Sequence, residues 1–121
     1  MSKKILIIDD EPTIVMFLSE LLSDMGHITL KAHCGEDGLR LLDSEAPVDL
    51  IITDLKLPGV SGQEVIRKVR ENRMYDDVSI IIITGSLFNE ANCPGEYSYQ
   101  ALVNKPFEIE DFLTLVTKLI V

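Results

Sequence analysis

The chain has 121 residues, of which 46% are hydrophobic and 26% are charged, so its composition fits a soluble globular protein and excludes a disordered, collagen-like or disulfide-dense one. Its 20 acidic and 11 basic residues give a net charge of −9, which is the wrong sign for direct binding to nucleic acid. No apolar run reaches the roughly 20 residues that a membrane helix needs, and the first residues lack a signal-peptide pattern. We therefore expect one cytoplasmic domain over residues 1–121.

The first half of the chain alternates between strand and helix patterns. Lys4 to Asp10 is an apolar run that ends in two carboxylates, which is typical of a parallel strand covered on both faces. A helix is predicted to begin after Glu11, with Pro12 in its first turn, and to end before Gly26. The segments that follow are a strand over 28–33, a short helix over 35–42 and a strand over 49–54.

The second half continues this alternation but contains one irregular segment. Its regular segments are a helix over 63–73, a very apolar strand over 78–83, a short strand over 101–104 and an amphipathic helix over 109–120. Between the last two strands, Pro94 and Gly95 occupy the interior of the expected fourth helix, where Pro alone costs about 3 kcal/mol. We expect that helix to be short, displaced or mobile. The whole pattern predicts an α/β fold, a five-stranded parallel sheet with helices on both faces.

Five polar residues follow the carboxyl ends of predicted strands: Asp9, Asp10, Asp54, Thr84 and Lys105. In such a sheet these ends converge on one crevice, where three carboxylates repel one another unless a cation or proton intervenes. Lys105 alone is not enough to neutralise three acids. Mg²⁺ is favoured because it needs only one or two carboxylates and keeps waters to share with a phosphate. An aspartate beside Mg²⁺, a lysine and a hydroxyl has the parts to form an aspartyl-phosphate.

These motifs resemble those of the receiver domain of bacterial two-component response regulators, over essentially the whole chain. The matching elements, in order, are the acidic pair Asp9-Asp10, Asp54 followed by Pro58 and Gly62, Thr84 after the fourth strand, and Lys105-Pro106 after the fifth. Each element is weak alone, but all four in order are specific. The resemblance implies a doubly wound, flavodoxin-like sheet of order 2-1-3-4-5. It also implies transfer of a phosphoryl group from a kinase phosphohistidine to Asp54.

The resemblance further implies a role for each residue of the site. The implied Mg²⁺ ligands are Asp10, Asp54, the backbone carbonyl of Lys56 and, through water, Asp9. Lys105 would pair with a phosphoryl oxygen, and Thr84 would move to hydrogen-bond the phosphoryl group. The bond between Lys105 and Pro106 is similar to the cis peptide of the family.

Three further positions are expected to modulate the switch. Receivers often carry a Tyr or Phe three residues before the lysine, and here that position is Leu102. We therefore expect phosphorylation to act through ordering of residues 86–99 rather than through an aromatic rotamer. Lys56 and Ser86 lie two residues beyond the aspartate and the hydroxyl residue, where side chains can reach the attacking water. We expect them to set the lifetime of the phosphate.

The expected partners are a sensor histidine kinase or phosphotransfer protein and an output domain or protein that the sequence does not identify. We expect a signalling switch rather than a turnover enzyme; the alternative is a phosphorylation-independent, receiver-like interaction module. A phosphatase using Asp54 is disfavoured, because such enzymes want a second carboxylate where Lys56 stands. Asp9 and Asp10 could instead simply cap the first helix. Homodimerisation through the last helix and an output domain after residue 121 stay open.

Overall fold

The computed structural model describes residues 2–85 and 99–120. The strands are β1 (Lys4–Ile8), β2 (Ile28–Ala32), β3 (Leu50–Thr53), β4 (Ser79–Thr84) and β5 (Ala101–Asn104). The helices are α1 (Pro12–Asp24), α2 (Gly35–Ser44), α3 (Gly62–Glu71) and α4 (Ile109–Leu119), with a short 3₁₀ turn at Arg73–Tyr75. The predicted irregular helix around 89–95 and Ser86 lie outside the described residues. Within those two ranges, no helix is both long and apolar enough to cross a membrane.

The five strands form one parallel sheet in the order β2-β1-β3-β4-β5, which confirms the predicted fold. Ile8 pairs with Thr53, so β1 and β3 end side by side. From this central pair the chain winds outward in both directions, to β2 on one side and to β4 and β5 on the other. The change of direction creates a crevice beyond the carboxyl ends of β1 and β3.

Apolar side chains cover the sheet on both faces, because successive residues of a strand point to opposite sides. Along β1, Ile5 and Ile7 enter one core cluster, whereas Leu6 and Ile8 enter the other. The helical residues of the first cluster are Val15, Leu18, Leu22, Phe112 and Val116; those of the second are Leu42, Val65, Ile66 and Val69. Thus α1 and α4 cover one face and α2 and α3 the other. Burial on both faces explains why the strands are nearly continuous apolar runs.

The buried stripe of α1 differs from the apolar pattern in the sequence. Phe17 and Met25 recur at helical spacing with the other apolar residues of this segment, which predicts that they face the core, yet each is 39% exposed. Val15 and Ser19 are buried instead. Ser19 tolerates burial because its hydroxyl hydrogen-bonds the hydroxyl of Thr29 on β2 at 2.7 Å. This hydrogen bond to another element lets a polar residue lie on the buried face of α1.

The charged residues of α3 alternate with apolar ones at helical spacing, which predicts that Arg70 faces solvent. Arg70 is instead half-buried, at the ends of the strands opposite to the crevice. Its guanidinium donates to the backbone oxygens of Tyr75 at 2.8 Å and Val78 at 2.9 Å. It also donates to the side-chain oxygen of Gln100 at 3.2 Å, and that oxygen accepts from the N–H of Ile80 at 2.7 Å. These bonds tie α3 to the entry of β4 and β5.

Candidate functional site

The acidic side chains meet where β1 and β3 end. Asp9 and Asp54 are only 3% and 6% exposed. Their backbone N–H groups continue the parallel ladder, to the oxygen of Ala32 at 3.1 Å and of Ile8 at 3.0 Å, which fixes both residues firmly. Asp10 is exposed beside them. One carboxylate oxygen from each of the three aspartates lies within 4.8 Å of the others, so the predicted cluster is present.

Lys105 brings a positive charge to this cluster from the end of β5. It precedes Pro106 through a cis peptide bond, as the resemblance implies. Its Nζ lies 2.8 Å from Asp9 Oδ2, 3.1 Å from Asp54 Oδ2 and 3.0 Å from Glu11 Oε1. Burial opposes its charge, but hydrogen bonds to the three carboxylates outweigh burial and raise the pKa of Lys105. The side chain is therefore a fixed cation at neutral pH.

Burial is the largest influence on the pKa of Asp9. Burial raises the pKa of Asp9, although Lys105 and the N–H of Glu11, at 2.9 Å, both act to lower it. Ionisation of Asp9 is thus less favourable here than in water. Three close carboxylates are hard oxygen donors of the kind that Mg²⁺ prefers. The cluster therefore fits a divalent cation of that type.

A cleft of about 480 Å³ opens directly over the cluster. It is lined by Asp10, Glu11, Asp54, Lys56, Leu57, Pro58, Gly85 and Lys105. Among the described residues, the N–H of Lys56 donates to Asp54 Oδ1 at 3.2 Å and the ammonium of Lys105 donates to Oδ2 at 3.1 Å. The carboxylate is therefore oriented while still bordering open space, as an attacking group must be.

Gly62, the glycine of the Asp54 motif, has a steric reason for its identity. Its N–H donates to the backbone oxygen of Leu55 at 2.9 Å, where α3 begins. A Cβ at this position would overlap the backbone oxygen of Asp54 and lie 2.6 Å from Leu55 Cα. Only a residue without a side chain lets α3 begin against the loop that carries Asp54. The motif glycine thus positions the aspartate through packing.

Two other predicted residues, Thr84 and Leu102, lie on β4 and β5. Thr84 is fully buried at the end of β4, and its backbone oxygen accepts the N–H of Lys105 at 2.9 Å. Its neighbour Gly85 borders the cleft. Leu102 is half-buried on β5 and packs against the core that α2 and α3 cover. The phosphoryl contact of Thr84, the carbonyl ligand of Lys56 and the modulatory role of Leu102 stay predictions.

Glu11 lies in the site although the sequence pattern does not single it out. It is the N-cap residue of α1, and no side-chain hydrogen bond caps that helix start. The N-cap residue is thus neither Asp9 nor Asp10, although Asp9 Oδ1 accepts the N–H of Glu11 at the helix start at 2.9 Å. The sequence does contain one signal for Glu11. It directly follows two acids at the end of a strand, and glutamate is not a favoured N-cap residue, so a role in the site explains it better than helix capping.

Comparison with known proteins matches residues 5–117 to the response regulator receiver domain. Sporulation initiation phosphotransferase F of Bacillus subtilis is 30% identical, over 98% of this chain and 94% of its own length. Hybrid signal transduction histidine kinase D of Dictyostelium discoideum is 29% identical over 95% of this chain, which spans only 7% of that protein. The response regulator protein TrrA of Thermotoga maritima, solved in complex with Mg(2+)-BeF, is 32% identical with a TM-score of 0.84, over 97% of this chain and 98% of that one. The matched range includes every motif residue from Asp9 to Lys105.

Proposed function

This chain belongs to the response regulator receiver domain family, and from that premise we propose that it is switched by Mg²⁺-dependent transfer of a phosphoryl group to Asp54. Phosphorylation-based switching is the function of the family. The observation that carries the assignment to Asp54 is its oriented carboxylate in the lining of the cleft, 3.1 Å from Lys105 Nζ. Asp9 is turned toward the same lysine but does not line the cleft.

In the proposed reaction the chain supplies the nucleophile and orients it. A carboxylate oxygen of Asp54 forms a bond to phosphorus as the bond between phosphorus and the donor nitrogen breaks, and the electron pair of that bond stays on the donor imidazole. The N–H of Lys56 holds the carboxylate rotamer during the attack. Lys105 then pairs with an oxygen of the phosphoryl group. Positioning and charge compensation supply most of the catalysis.

The proposed cofactor is Mg²⁺, which the carboxylates of Asp10 and Asp54 and the backbone carbonyl of Lys56 would hold directly, with Asp9 contributing through water. When bound, the ion offsets negative charge on the phosphoryl group and on the acids that surround it. Two observations support this proposal. The three carboxylate oxygens lie within 4.8 Å of one another, and the TrrA structure is described as a complex with Mg(2+)-BeF.

We propose that the phosphoryl group comes from the phosphohistidine of a sensor histidine kinase or a phosphotransfer protein. The names of the two relatives, a sporulation phosphotransferase and a hybrid histidine kinase, support this source. We further propose a single receiver domain over residues 1–121 that acts in the cytoplasm as a switch on an output domain or partner, and not as a turnover enzyme. The responses of Thr84, Ser86 and Leu102 to phosphorylation belong to the same proposal.

Intact-mass measurement after incubation with acetyl phosphate tests this function. We expect one phosphoryl adduct on the parent chain with Mg²⁺, and none with EDTA or in the Asp54→Asn variant. Asp24→Asn, which removes an exposed carboxylate at the end of α1, is the matched control and should behave like the parent. If the parent binds Mg²⁺ but acquires no phosphate from acetyl phosphate or from kinases, the phosphorylation-independent interaction module replaces this proposal.

A further inference from the structure

The carboxylate of Glu11 contacts Lys105 and takes no part in capping helix α1. Its side chain makes no capping hydrogen bond on α1. Instead its carboxylate lies 3.0 Å from the Nζ of Lys105, a residue 94 positions later in the chain. The side chain of Glu11 is 56% exposed and borders the cleft above Asp54. The contact therefore belongs to the site and not to the local helix geometry.

The ammonium of Lys105 is saturated by its present partners. An ammonium has three N–H donors, and three carboxylate oxygens lie within 3.1 Å of this one. A phosphoryl oxygen can bind Lys105 only if one carboxylate gives up its place. Asp9 and Asp54 are buried, and each also accepts a backbone N–H. Glu11 is the exposed partner, so water can solvate it at once when it leaves.

We propose that Glu11 is a positioning residue that holds Lys105 in the unphosphorylated chain and is displaced when a phosphoryl group arrives. The inference rests on the proposed phosphorylation of Asp54. Glu11 Oε1 and Asp54 Oδ2 lie 3.0 and 3.1 Å from the same nitrogen, so they are at most 6.1 Å apart. The negative charge of Glu11 therefore opposes an anionic phosphodonor as it approaches, as well as occupying the lysine.

The first test compares rates of phosphorylation by acetyl phosphate in saturating Mg²⁺. Glu11→Gln keeps the size of the side chain but removes its charge, and should be phosphorylated about three- to tenfold faster, the range expected for a solvent-screened charge at this distance. The matched control is Glu108→Gln, which removes an exposed glutamate at the N-cap of α4, where no side-chain capping bond exists either. It should react like the parent. Because the effect is electrostatic, it should shrink as salt is raised.

The second test uses metal-free protein and needs no phosphorylation. ¹⁵N relaxation of the Lys105 ammonium reports how tightly Nζ is held. We expect Glu11→Gln to loosen it and Glu108→Gln to leave it unchanged. Equal or slower phosphorylation of Glu11→Gln, or unchanged ammonium mobility, would overturn the role of Glu11 while leaving Asp54 phosphorylation intact. A parent chain that never acquires phosphate would instead overturn the proposed function, and this inference with it.

Discussion

Replacing Lys105 with Met should destabilise the metal-free protein, because the substitution keeps an apolar stem but removes the cation of the acidic cluster. Asp9 and Asp54 would then remain side by side with side chains only 4% and 8% exposed. Two buried carboxylates without a counter-charge repel each other and have lost the hydration that stabilises them in water.

The expected loss follows from the burial of the cluster. Removing one partner of a fully buried ion pair costs about 3–5 kcal/mol. Lys105 is 14% exposed and the cluster borders an open cleft, so water screens part of this cost. We expect a decrease of about 2–3 kcal/mol in the free energy of unfolding, or a fall in Tm of about 6–12 °C.

Urea unfolding in EDTA near pH 7.5 measures this loss. Because the pKa of Lys105 is raised, its stabilisation is fully present below the ordinary lysine pKa and is lost only as the pH rises through the higher folded-state value. At pH 7.5 Lys105 is therefore fully charged, and its contribution to stability is fully present. Lys118→Met, which removes an exposed lysine from the last turn of α4, is the control and should change stability by less than about 0.5 kcal/mol.

Two comparisons can refute the reasoning. If carboxylate repulsion causes the loss, Mg²⁺ should recover much of it, and the loss should be smaller when Lys105→Met is made in an Asp9→Asn background. A loss as small as that of Lys118→Met, or an equal loss in both backgrounds, would show that Lys105 does not stabilise the acids.

Three further predictions concern the same site. Burial raises the pKa of Asp9, so its ionisation costs more in the folded than in the unfolded chain. The stability of the metal-free parent relative to Asp9→Asn should therefore fall as the pH rises from below the ordinary aspartate pKa through the higher folded-state value. A difference in urea unfolding that does not change with pH would contradict this. Gly62→Ala should cost about 1–3 kcal/mol, whereas Gly85→Ala, whose Cβ would come no closer than 3.9 Å to Lys105, should cost little; equal losses would contradict the steric argument. Mg²⁺ at a hundred times its Kd should add about 2.7 kcal/mol to the stability of the parent and much less to that of Asp10→Asn, and equal thermal shifts would exclude Asp10 as a ligand.

The sheet was predictable because its central strands are covered on both faces. Such strands must be apolar along their whole length, and the carboxylate at which each run stops marks the strand end. Asp54 could therefore be placed at the carboxyl edge of the sheet from the pattern around it. The order of the strands came from the resemblance to receiver domains, since periodicity alone does not say which strands are neighbours.

What could not be predicted depends on contacts between residues far apart in the chain. The buried face of α1 includes Ser19 because Thr29 on another element satisfies its hydroxyl. Arg70 is half-buried because its guanidinium donates to the backbone oxygens of Tyr75 and Val78. Likewise, Lys105 contacts Glu11 in addition to the aspartates. These two residues lie 94 positions apart, and the geometry of their side chains cannot be read from sequence spacing.

Chemical identification of the phosphorylated residue tests the central claim most directly. Borohydride reduces an aspartyl phosphate to homoserine, which peptide mass spectrometry can locate in the chain after phosphorylation with acetyl phosphate. We predict homoserine at position 54 alone, and only when Mg²⁺ is present. Reduction products at Asp9, Asp10 or Glu11, or an adduct that persists in Asp54→Ala, would contradict the assignment of Asp54 as the phosphoryl acceptor.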